Sequence, residues 1–157
     1  MVILETEELV DDEEEEVAAA PGGPVVEALL DNVRSLRNVG SMFRTADGAG
    51  VNEIVLSGYS PVPPQKNALY LTDADKALKK TALGAEETVP WKKAASLSRL
   101  LSRLKKEGYE IVALEQDEGS VDYRECRPKE RVALIVGNEV DGVDEKILKQ
   151  CDVILEI

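Results

Sequence analysis

Between Val25 and Ile157, short apolar runs alternate with longer stretches whose apolar residues recur at helical spacing. Val25-Val26-Glu27-Ala28-Leu29-Leu30, Glu53-Ile54-Val55-Leu56-Ser57, Tyr109-Glu110-Ile111-Val112-Ala113-Leu114 and Val132-Ala133-Leu134-Ile135-Val136 have the length and β-branched content of strands, and Asp152–Ile157 adds a last one. Val132–Val136 contains no polar residue, which fits a strand covered on both faces. Helices are expected over Asn38–Ala49, with Asn38 as cap and Gly48 and Gly50 near the end, and over Thr72–Leu83, with Thr72 or Asp73 as cap. Ala94–Glu107 is the clearest amphipathic helix: Leu97, Leu100, Leu101 and Leu104 share one side, and Gly108 ends it. Asp144–Gln150 reads as a short helix, and the proline-bearing stretch Tyr59–Gln65 as a long loop of the kind that serves binding. This alternation predicts an α/β domain built on a mostly parallel sheet with helices on both faces.

Two turns stand out in that frame. Asn38-Val39-Gly40-Ser41-Met42-Phe43-Arg44 and Gly137-Asn138-Glu139-Val140-Asp141-Gly142 each follow an apolar strand and open a helix-like segment. On one edge of a parallel sheet they converge on a single crevice, where open α/β sheets bind ligands. That brings together Arg44, Glu139, Asn38 and Asn138 in a chain with no histidine, so its chemistry works without imidazole. Neither turn is a phosphate loop, and no GxGxxG occurs.

A length of 157 residues suits one domain with a continuous core. The net charge of −12 is unevenly distributed: ten of the 31 acids precede Ala28, where there is no Lys or Arg, leaving 21 acids against 19 bases. Residues 1–24 are therefore expected to be an acidic, disordered tail and hinge, ending in Ala18-Ala19-Ala20-Pro21-Gly22-Gly23-Pro24, with the domain over 25–157. A solubilising role is the plain reading of the tail; competition with nucleic acid for the protein's own basic surface is the sharper one. No signal-peptide pattern appears, and no run approaches the roughly 18–20 apolar residues of a membrane span. Cys126 and Cys151, without histidine or cysteine partners at ligand spacing, point to free thiols, no metal site and a cytoplasmic location.

The segment from Leu30 through Asn38, Gly40 and Arg44 to Asp47 resembles the first signature of the SpoU (TrmH-type) RNA 2′-O-ribose methyltransferases of the SPOUT superfamily. Lys80-Thr81-Ala82-Leu83-Gly84-Ala85-Glu86 with Val89-Pro90-Trp91 resembles their middle segment, and Leu134 through Gly137-Asn138-Glu139 to Val143 their second signature. The resemblance covers Val25–Ile157. It implies the α/β-knot fold, with the knot-forming segment and third signature expected beyond the strand ending at Ile157 and missing here. It also implies methyl transfer from S-adenosylmethionine to a ribose 2′-hydroxyl of tRNA or rRNA, and a homodimer for an intact version. A catalytically inactive, truncated relative that only binds RNA is the alternative.

By resemblance, Arg44, Asn38 and Glu139 are the catalytic set, and Leu114, Gly137, Asn138 and Ile157 lie against the cofactor. Arg44 suits a fixed cation that holds the adjoining phosphate and the developing alkoxide, because guanidinium does not readily lose its proton. Its plain alternative is an exposed helix arginine paired with Asp47. Glu139 is expected to cap the following helix, to pair with Arg44, or to order the loop. Gly40 permits close approach of RNA or of a neighbouring backbone. Arg34, Arg37, Lys79 and Lys80 are the expected RNA contacts, with Tyr59, Tyr70 and Trp91 as candidate stacking surfaces.

Overall fold

The computed structural model describes residues 22–157; the acidic tail and most of the hinge, through residue 21, lie outside the described residues. Seven strands, β1 (Val25–Asp31), β2 (Glu53–Ser57), β3 (Trp91–Ala94), β4 (Glu110–Leu114), β5 (Val121–Asp122), β6 (Arg131–Val136) and β7 (Val153–Glu156), form one sheet in the order β3-β2-β1-β6-β4-β7-β5. Every pairing is parallel. The expected strands are all present, and the mostly parallel α/β architecture is as the alternation implied. The connections put helices on both faces. α1 (Leu36–Ala49), α2 (Asp73–Ala82) and α3 (Ala85–Thr88) pack over Leu30, Ile54 and Leu56, while α4 (Leu97–Lys106) and α5 (Glu145–Leu148) cover Leu29, Val55, Ile111 and Ile135. Neighbouring strand residues enter opposite cores because side chains alternate across a sheet.

α4 buries Leu97, Leu100, Leu101 and Leu104. Each leucine taken out of water contributes roughly 1.5–3 kcal/mol. Ser96 caps this helix and Ala94 belongs to β3, so α4 starts three residues later than its apolar spacing suggests. β3 itself escapes the periodicity because two of its four residues are Lys92 and Lys93; as a charged edge strand it pairs β2, and Lys92 Nζ donates to Glu53 Oε2 at 2.7 Å. β5 is two residues long and is recognised only through its pairing with β7.

Two helix starts are fixed by side chains. Thr72, not Asp73, caps α2 in a reciprocal capping box with Asp75. α1 is capped by Ser35, whose Oγ accepts from the Asn38 N–H at 3.2 Å. The expected cap, Asn38, instead sits inside the first turn, so its side-chain amide is left for other partners. Gly40 is where α1 meets α2: a Cβ there would lie 2.1 Å from Thr81 Oγ1 and 2.3 Å from the Leu78 carbonyl oxygen. This glycine serves helix packing, the second of its two expected roles.

Candidate active site

β1 lies between β2 and β6, and the chain reaches β2 from β1 through α1 but reaches β6 only after crossing to the other side of the sheet. The carboxyl ends of β1 and β6 thus flank a switch in strand order, where connecting loops diverge and leave a crevice. Leu30 pairs with Val136 at that edge, so residues 32–35 and 137–142 emerge side by side. Of the segments singled out in the sequence, Gly137–Gly142 meets the 32–35 loop and Asn38, whereas the rest of Asn38–Arg44 lies inside α1 and Arg44 forms no hydrogen bond or ion pair with Glu139.

Glu139 makes the junction. Its Oε2 accepts from the Arg34 N–H and its Oε1 from the Ser35 N–H, both at 3.0 Å, and Oε1 also accepts from Asn38 Nδ2 at 3.0 Å. Partial burial raises its pKa, but the backbone N–H groups of Arg34, Ser35 and Glu139 itself, with the Asn38 amide, outweigh this and hold the carboxyl at about 2. Glu139 is therefore a fixed anion at the start of α1. It orders the loop, and it neither caps α5, whose cap is Asp144, nor pairs with Arg44. Because Asn38 donates its Nδ2 to Glu139, its carbonyl oxygen is the acceptor left for a ligand.

Arg44 lies six residues further along α1, about 9 Å of helix rise from Asn38. It is exposed on the side of α1 shared with Arg37 and Ser41, and it forms no hydrogen bond or ion pair among the described residues. Pairing with Asp47 is not formed either; Asp47 accepts from Thr88 Oγ1 at 3.4 Å.

Asn138 is buried and fully engaged. Its Oδ1 accepts from the N–H groups of Val140 and Asp141 at 2.9 Å, while Nδ2 donates to the Asn32 carbonyl at 3.0 Å and to Tyr59 Oη at 3.1 Å. Its backbone closes the loop on Gly142 through two hydrogen bonds, and a Cβ at Gly137 would lie 2.5 Å from the Gly142 carbonyl oxygen. One side chain thus ties together the loops after β1, β2 and β6. With side chain and backbone both engaged, Asn138 has only the second lone pair of its backbone carbonyl oxygen left for a cofactor.

Beyond this loop, at the carboxyl ends of β4, β6 and β7, two adjoining cavities of about 490 and 220 Å³ share Leu114, Glu115 and Gln116. Gly137 and Asn138 line the larger and Ile157 the smaller, so the four residues expected at the cofactor are divided between two neighbouring cavities that share Leu114. Glu115 was not anticipated. It receives the N–H of Val143 at 2.8 Å and that of Gln116 at 2.9 Å, and the turn at Gly142, at φ 69°, passes so close that a Cβ would meet Glu115 Oε2 at 2.0 Å. Its place directly after an apolar strand was the available signal. Apolar patches from Leu114, Val136, Val143 and Leu148 in an otherwise polar lining, with carboxylates at Glu115, Glu139 and Asp141, make a space suited to an uncharged ring joined to a cationic group.

The four expected RNA contacts divide. Arg34 is exposed, with its guanidinium 5.6 Å from the centroid of the Tyr59 ring, and Arg37 and Lys80 are also exposed. Lys79 is turned inward to Glu86 and Glu87 at 2.8 and 2.9 Å, and these partners hold its pKa above the ordinary lysine value. Its charge is already met by carboxylates, so the shared helical face presents Lys76 and Lys80 to solvent rather than all three lysines. Among the described residues no helix is long and apolar enough to cross a membrane, and Cys126 and Cys151 are free thiols.

A family model, the SpoU rRNA Methylase family, matches residues 26–157. The chain is 31% identical over 134 residues to the 23S rRNA (guanosine-2′-O-)-methyltransferase of Neisseria meningitidis serogroup B, covering 85% of this chain and 49% of the relative. Among solved structures, it is similar to an AdoMet-bound rRNA methyltransferase from Sinorhizobium meliloti at 25% identity and a TM-score of 0.71, over 87% of this chain and 48% of the other. It shares its fold with the SpoU methyltransferase AviRb from Streptomyces viridochromogenes, a complex with AdoMet, at a TM-score of 0.74 and 18% identity over 93% and 52% of the two chains. The chain spans about half the length of the curated relatives it matches.

Proposed function

Because the chain belongs to the SpoU rRNA methylase family, we propose that it acts in S-adenosylmethionine-dependent methylation of a ribose 2′-hydroxyl in transfer or ribosomal RNA. The observation that carries this reading is the crevice at the switch point, where Glu139 fixes Asn38 beside a cavity at the ends of β4, β6 and β7. The names of the Neisseria and Sinorhizobium relatives support the same chemistry.

S-adenosylmethionine supplies an electrophilic sulfonium methyl group. Leu114, Val136 and Val143 would enclose its apolar parts, Glu115 and Asp141 would balance its positive charge, and the backbone at Gly137 and the side chain of Ile157 would border it. Asn38 would orient the ribose through its free carbonyl oxygen. Arg44 would hold the neighbouring phosphate and stabilise the negative charge that grows on the hydroxyl oxygen. Glu139, held at about 2, is a poor proton acceptor and serves to position Asn38. Rate enhancement then comes mainly from alignment and charge stabilisation, with the hydroxyl proton passing to solvent water and not to a side-chain base poised near neutral pH. Arg34, Arg37 and Lys80 would bind RNA phosphates.

The same reading carries a cytoplasmic location and, for an intact version of the protein, a homodimer. Half-buried Val153, Ile154 and Leu155 on β7 offer a second copy apolar surface to cover, and sedimentation velocity measures the association. Calorimetric titration with S-adenosylmethionine tests the central claim. Saturable binding, followed by transfer of labelled methyl to RNA from cells lacking the protein, is expected. A well-folded sample that neither binds the cofactor nor labels RNA would instead be an RNA-binding relative without catalysis.

A further inference from the structure

A second cavity, of about 480 Å³, lies away from the crevice and shares no lining residue with the cavities at β4, β6 and β7. It is walled by Glu86 of α3, Lys79 of α2, Trp91 at the start of β3 and the 64–68 part of the long loop after β2. Glu86 is 4% exposed; its Oε1 receives Lys79 Nζ, but its buried Oε2 has no hydrogen-bond partner among the described residues. Oε2 is closed off from water behind the cavity wall, and a desolvated carboxylate oxygen without a donor is costly, so Glu86 keeps an unused acceptor that an N–H entering at this wall would satisfy once the side chain turns toward it.

The surroundings narrow the donor. Lys79 already bridges Glu86 and Glu87, and Lys66 acts on Glu87, so two amines and two carboxylates balance and the cavity favours neither a cation nor an anion. Trp91 packs on the core with part of its surface accessible at the cavity wall, and Gln65 and Asn67 add amide groups. A partly accessible indole, an unused acceptor and room for a nucleoside together match a flat, neutral, donor-bearing ring.

We propose that this cavity is a second ligand site that takes a nucleobase carrying an exocyclic amine, stacked on Trp91 and donating to Glu86. Guanine, adenine and cytosine meet this requirement. Uracil offers one N–H between two carbonyl oxygens, which the carboxylate repels. The ring comes either from a free nucleotide or from RNA; only the RNA source rests on the proposed methyltransferase reading.

Trp91 is the one tryptophan of the chain, so its fluorescence reports on this cavity. Guanosine, adenosine and cytidine monophosphates are expected to change it saturably, with uridine monophosphate at least tenfold weaker and ribose 5-phosphate and spermidine inert. Glu86→Gln is expected to weaken guanosine monophosphate about tenfold, the scale of a lost charge-assisted hydrogen bond. The same variant keeps the wild-type circular-dichroism spectrum and calorimetric binding of S-adenosylmethionine, which separates failure here from failure of the methyltransferase reading. Short single-stranded oligoribonucleotides that bind more tightly than the mononucleotides assign the ring to RNA; mononucleotides that bind equally well or better assign it to a free nucleotide. No saturable response, equal response to uridine monophosphate, response to spermidine, or a folded Glu86→Gln protein that binds as wild type each overturns the site. The nucleotide series on the unaltered protein decides the matter if the variant does not fold.

Discussion

Glu139 Oε1 and Asn38 Nδ2 meet at 3.0 Å across a separation of 101 residues, joining the loop after β6 to the first turn of α1. The contact converts two sequence motifs into one rigid corner. It leaves Arg44 free of both partners, on the exposed side of the same helix.

Replacing Glu139 by Ala should remove three acceptor contacts and destabilise the fold by roughly 1–2 kcal/mol once solvent screening is counted. The folded carboxyl sits at about 2, below the ordinary 4.5, so its contribution is fully present above about pH 4.5 and is lost as pH falls toward 2. Denaturant melts of wild type and variant should therefore converge across that window. A constant gap would argue that the carboxylate is not what anchors Arg34 and Ser35.

For Arg44→Ala, methyl transfer should fall about 100- to 1,000-fold, the scale of removing one electrostatic stabiliser, while cofactor affinity changes little. Arg44→Lys should recover part of the rate. Single-turnover kinetics with saturating RNA would expose the opposite outcome, turnover that survives the alanine.

Gly40→Ala tests the packing role. The new methyl has no room against Thr81 Oγ1 and the Leu78 carbonyl, so α2 must shift, at a cost of about 1–3 kcal/mol. Adding Thr81→Ala should recover only part of the loss, because the Leu78 carbonyl stays in place.

Glu27 is buried in β1, and burial raises its pKa against the opposing pull of Tyr109 and Lys92. The folded state therefore favours the protonated form, and the charged form is a liability at neutral pH. Glu27→Gln should raise the melting temperature at pH 7, and the gain should shrink as pH falls to 4.5 and below. Thermal melts across that range check the sign.

RNA affinity should fall with salt in proportion to the phosphates neutralised. Removing Arg37 or Lys80 should lower the slope of log K against log salt by about one each. Lys79→Ala should leave it unchanged, since that amine is held by Glu86 and Glu87. Filter binding at several salt concentrations separates the two classes.

The sequence makes plain what repeats or buries: the four leucines of α4, the unbroken run of β6 and the alternation of the five expected strands with helices. It hides what depends on partners distant in the chain. β3 is obscured by Lys92 and Lys93, whose charges are tolerable only at an edge beside Glu53. Asn38 has the composition of a cap, but Ser35 stands one turn earlier and takes that role, so the asparagine is free to meet Glu139. Lys79 looks like its exposed neighbours until the fold brings Glu86 beneath it. Glu115 is marked in the sequence only by its place after an apolar strand; the passage of Gly142 beside it reveals its use.

Asn138 spends all of its side-chain bonding capacity on segments that follow three different strands. Rivetted in this way, the three loops form a single rim, and on the proposed reading it is the RNA that would bend its ribose toward that lip.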